Sequence, residues 1–135
     1  KDPVVHVTAG SEDSYLFVKV TNDISAIEAT SNKIANQMAA KGWKAVDGQQ
    51  GVYVYAVNGN AKTAVSGGVN VPVFDKFVVA NTVDANTLKS YAESNENKKQ
   101  IVVTAYAIQK DGFEEKTPQE IWTAGNFGGS TSTGE

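Results

Sequence analysis

The sequence predicts a mainly β domain, a jelly-roll-like β-sandwich with two or three short inserted helices. Short runs of alternating or β-branched residues recur at close spacing along the 135 residues. Turns rich in Gly, Asn and Asp separate these runs. Helical patterns are few, short and marked by capping residues.

The elements follow in order. Val4 to Ala9 reads as a first strand, closed by the polar turn Gly10–Asp13. In "YLFVKV", Tyr15, Phe17 and Lys19 fall on one face, and Leu16, Val18 and Val20 on the other. A helix is expected next: Ile24, Ile27, Ile34 and Met38 share a stripe, Ser25 and Glu28 form a capping-box pattern, and Gly42 occupies a left-handed C-terminal cap. Trp43 to Val46 and Val52 to Val57 read as two strands joined through "DGQQG", with "NGN" marking the next turn. Pro72 suits a strand end, a bulge or an edge, not a central strand. Asp84 caps a short helix through Leu88 and Tyr91, and "ESNENKK" reads as a solvated loop. "QIVVTAYAIQ" is apolar on both faces, which predicts a central strand covered on both sides. Thr117, Pro118 and Glu120 spell a second capping box ahead of Ile121 and Trp122. Residues 1–125 therefore read as a single domain and 126–135 as a flexible tail.

Composition narrows the function. Twelve basic residues, all Lys, against fifteen acidic ones give a net charge of −3, which argues against nucleic acid. No apolar run reaches membrane-spanning length. Without Cys there is no disulfide, thiolate metal site or thiol nucleophile. His6 is the sole histidine, so paired-imidazole metal sites cannot be built and a Ser-His-Asp triad would have to use a strand residue. Glu12/Asp13 and Glu114/Glu115 read as solvated turn acids. The expectation is no catalytic residue, no metal and no cofactor. Tyr53 and Tyr55 share a strand face and, with Trp43 and Trp122, could form a sugar-stacking platform; the competing reading places these aromatics in the core.

"KDPVVHVTAGSEDSYLFVKV" resembles the segment found in secreted Gram-positive proteins with a SipW-dependent signal peptide, the group that includes TasA and camelysin. Its marks are a Lys-Asp-Pro-x-Val start, a small polar turn and an aromatic-rich strand ending in "VKV". "VPVFDKFVV" and "IVVTAYAIQKDGFEEKTPQEIW" resemble clostridial members in the same order. The resemblance covers most of Lys1 to Trp122. It implies a jelly roll and a secreted, extracellular or cell-surface structural role in biofilm fibres. Family members carry a further strand ahead of the Lys-Asp-Pro segment, so the sequence, which opens on Lys1 and not on Met, is expected to start after a removed leader. On this reading the partner is the chain itself, as a homopolymer, with other matrix proteins or polysaccharide as further partners. The assembly strand is Val4, Val5, His6, Val7 and Thr8, exchanged between subunits or pairing within its own domain as an edge strand. A carbohydrate-binding module and a camelysin-type metallopeptidase are the alternatives.

Overall fold

The computed structural model describes residues 2–93, 101–125 and 132–133. Among these residues the fold is mainly β, with two sheets and three short helices. The strands are β1 (Val4–His6), β2 (Ser14–Asn22), β3 (Trp43–Ala45), β4 (Val52–Tyr55), β5 (Ala64–Val65), β6 (Asn70–Pro72), β7 (Ile101–Gln109) and β8 (Ser132–Thr133). The helices are α1 (Ile34–Ala40), α2 (Ala85–Glu93) and α3 (Pro118–Gly125).

The larger sheet runs β3-β4-β2-β7-β8, with β5 also paired to β2. β2 organises it: all nine of its residues pair antiparallel with β7, from Ser14↔Gln109 to Asn22↔Ile101. Its other edge takes β5 opposite Ser14 and Tyr15, then β4 opposite Phe17 to Lys19. The smaller sheet is β1 against β6, with Val4↔Pro72, Val5↔Val71 and His6↔Asn70.

The alternation of β2 divides the core. Leu16 and Val18 face Val5, Val71 and Val73 together with Ile34 and Met38 of α1 and Trp43. Tyr15 and Phe17 face the opposite way, onto Val52, Val54, Tyr106 and Ile121 of α3. One face of the larger sheet is thus covered by β1–β6 and α1, and the other by α3. Phe17 is fully buried, 5.7 Å centroid to centroid from the half-buried Trp122, whose ring also meets Tyr106 edge-on at 5.1 Å.

Several local expectations hold. Thr117 Oγ1 accepts the Glu120 N–H at 3.1 Å while the Glu120 carboxylate accepts the Thr117 N–H at 2.9 Å, the reciprocal capping box of α3. Asp84 accepts the Thr87 N–H at 2.8 Å and opens α2. Gly42 takes φ +99° just beyond α1, and a Cβ there would lie 2.5 Å from Val57 Cγ1. Pro72 ends a strand in a two-stranded sheet, where its missing N–H costs no ladder bond.

One expectation is corrected. The stretch from Ile24 to Asn32 forms two 3-10 turns, and Ser25 makes no capping bond. Hydrogen bonds from Ala29 N–H to Val78 O and from Ala80 N–H to Ile27 O draw Glu28 into an extended bridge with Val79, which a continuous helix would forbid. Glu28 instead accepts the Ile34 N–H, capping α1 from six residues upstream. The expectation for "QIVVTAYAIQ" holds: β7 lies between β2 and β8, with Ala105 in the core on one face and Tyr106 in the core on the other, although among the described residues β8 pairs with only two of its residues. The loop "ESNENKK" lies, beyond Glu93, outside the described residues. Of the expected tail 126–135, only Ser132 and Thr133 are described, and they pair with Ala105 and Thr104.

Candidate functional site

β1 is the element on which the assembly reading turns. Beyond its three ladder pairs, Val73 N–H donates to Pro3 O, Val7 N–H to Val69 O and Gly68 N–H to Val7 O, at 2.8–3.0 Å, so its edge contact with β6 runs from Pro3 to Val7. Its side chains alternate as a strand demands. Val5 is buried in the core beside Val71, whereas His6 and Thr8 are exposed. Val4 and Val7 are half-buried. His6 Nδ1 meets Asn70 Oδ1 at 2.7 Å across the ladder, which binds the exposed face of β1 to the strand carrying Val71. Burying a Val side chain contributes about 1.5–3 kcal/mol, so Val5 is the principal apolar anchor of this strand.

The path from β1 to β2 is a compact turn. Ser11 N–H donates to Thr8 O at 3.2 Å, and Gly10 adopts φ +86°, in the left-handed region that glycine enters without strain. Gly67 packs directly beneath: a Cβ there would stand 2.6 Å from Ser11 N and 2.7 Å from Thr8 O, both backbone atoms. Only glycine admits so close an approach.

Beside β1 lies a groove of about 240 Å³, walled by Val5 and Val7 on one side and by Ala105, Tyr106 and Ala107 of β7 on the other, with Leu16 also lining it. The first strand and the outer reach of β7 therefore border one opening. Val4 to Thr8 are legible in the sequence as a candidate, whereas the part of β7 in this groove is not, because a doubly apolar strand pattern signals burial of its faces and says nothing of which edge is paired.

The candidate aromatic residues do not share one open surface. Tyr53 and Tyr55 lie on one face of β4, both half-buried and packed against the core on the α1 side. Tyr55 meets Trp43 edge-on at 5.4 Å, and Trp43 is buried with its Nε1–H donating to Pro72 O at 2.9 Å. Trp122 packs on the other side of the sheet, against Phe17 and Tyr106.

Titratable groups displaced from their ordinary values have structural causes. The Thr87 N–H lowers Asp84, and the Thr117 N–H lowers Glu120, as capping demands. Burial, and then the nearby Glu114 and Glu115 carboxylates, raise Tyr15. Among the described residues no group of three His, Cys, Asp or Glu side chains is arranged to hold a metal ion, and no helix is long and apolar enough to cross a membrane. Compared with family models, with curated proteins and with solved structures, the chain finds no match.

Proposed function

We propose that this chain is an extracellular structural subunit of a bacterial fibre or biofilm matrix, and that subunits join head to tail by exchanging the Val4–Thr8 strand. The observation that carries the reading is the placement of β1: paired among the described residues with β6 alone, and anchored chiefly by Val5. A strand of that kind can leave its own β6 and be replaced by the same strand of a neighbour, contact for contact. Main-chain hydrogen bonds supply the affinity, and the Val5 site supplies the register. The exchange needs no new chemistry, only opening of the Thr8–Asp13 turn.

Donor and acceptor in such an exchange are different surfaces, so the contact is head to tail, need not close on itself and can propagate as a filament. In the fibre the jelly-roll-like sandwich is completed between subunits, each β1–β6 sheet being shared by two chains. The similarity of "KDPVVHVTAGSEDSYLFVKV" to the TasA and camelysin group supports the same role and a secreted location.

Deleting Lys1 to Ala9 tests the proposal. Electron microscopy of the purified full-length chain is expected to show filaments, and the shortened chain is expected to remain compact and monomeric, with reduced stability. Filaments that form equally well without those residues would remove β1 from the contact.

A further inference from the structure

The two ends of the larger sheet are defended unequally. β3, at one end, is three residues long and carries Lys44. The strand at the other end, β8, is two residues long, and beneath it β7 is nine residues long, "IVVTAYAIQ", with no charge, no Pro and no Gly. Proteins keep sheet edges from pairing with other chains by short strands, charge, proline or cover. β7 has none of the first three. Among the described residues its cover is β8, which pairs only at Thr104↔Thr133 and Ala105↔Ser132.

The direction of the remaining backbone groups follows from the ladder. Lys110 N–H donates to Asp13 O at 2.9 Å, one step beyond the Ser14↔Gln109 pair. Antiparallel pairing alternates residue by residue. The even-numbered residues of β7 therefore turn their N–H and C=O toward β2, and Val103, Ala105, Ala107 and Gln109 turn theirs to the outer edge. Ala105 to Ala107 also line the groove shared with β1 and β2. Val102, at the other end of the strand, is 41% exposed.

We propose that the outer edge of β7 is a docking surface for the Ser132–Thr133 segment of a second copy of this chain. The occupant is indicated by what already pairs there: this chain's own segment, in antiparallel register on Thr104 and Ala105. A second copy carries the same two residues and forms the same pairs, so exchange between intramolecular and intermolecular pairing replaces like with like. Which form prevails is set by concentration. This contact is separate from the exchange of β1 and uses no residue of Lys1 to Ala9.

The test uses the absence of native cysteine. By the alternation above, Thr104↔Thr133 is a non-hydrogen-bonded pair, with Cα atoms roughly 4.5 Å apart, inside the span of about 4.4–6.8 Å that a disulfide bridges. Full-length chains carrying Thr104→Cys are mixed with chains carrying Thr133→Cys and mildly oxidised. The expected product is the mixed disulfide dimer, in clear excess over both like-with-like dimers and increasing with protein concentration. A statistical mixture would overturn the proposal. So would an excess of the dimer that joins two Thr104→Cys chains, which would mean that β7 pairs with β7. Chains carrying both substitutions supply a second reading: linked multimers are expected at high concentration, and exclusively intramolecular bridges at every concentration would count against the docking.

Discussion

Phe17 shows how much a single side chain carries in this fold. It is fully buried at the centre of β2 and packs against Trp122 from α3. Phe17→Ala removes a large ring from a site that cannot readily collapse, and is expected to cost about 3–5 kcal/mol in urea unfolding. Glu120 carries a different kind of dependence. Its carboxylate is held below its ordinary range, chiefly by the Thr117 N–H and further by Lys116. A lowered folded-state pKa means that the contribution is fully present above the ordinary Glu value of about 4.3 and is lost as pH falls through the lower folded value. In Glu120→Gln that loss cannot occur, so its melting temperature is expected to fall less steeply with acid than that of the parent. Parallel acid limbs would show that the Glu120 charge has no weight in stability.

At the scale of elements, what the sequence could disclose was local. The α3 capping box is legible because Thr117, Pro118 and Glu120 need only one another. The two faces of β2 are legible because alternation is intrinsic to a strand. Ile24 to Asn32 was misread because the decisive partners, Val78 and Val79, lie some fifty residues away. The helical stripe was nevertheless sound as a burial pattern: Ile27, Ile34 and Met38 are all buried, although only the last two lie in α1. The β7 edge was invisible for the same reason, since pairing order is a property of the whole sheet. The corrected cap can be tested directly. Glu28→Ala is expected to cost about 1 kcal/mol, the usual weight of an N-terminal cap, whereas Ser25→Ala, which removes no capping bond, is expected to be near neutral. Thermal unfolding of both variants decides between them, and the reverse order would restore the capping box at Ser25.

The whole molecule sets a two-sided sheet against a first strand that lies outside it. β2, β4 and β7 hold two cores on opposite faces of one sheet, with α1 and α3 closing them. β1 lies outside that sheet, on a short partner of its own. A body built this way can lend its first strand without dismantling the interior, apart from the site of Val5. On the proposed reading it receives the same strand from a neighbour, and repetition builds the fibre. The most direct measurement of that claim is competition by the strand itself. A synthetic peptide spanning Asp2 to Ala9 is added to the full-length chain during assembly, and the pelletable filament mass is followed by sedimentation. If subunits join through this strand, the peptide occupies the exposed β6 acceptor at growing ends, and filament mass falls with peptide concentration. A peptide with Asp in place of Val5 has no apolar anchor and leaves assembly unchanged. Equal filament mass with and without the native peptide, at concentrations well above that of the chain, would contradict strand exchange through β1.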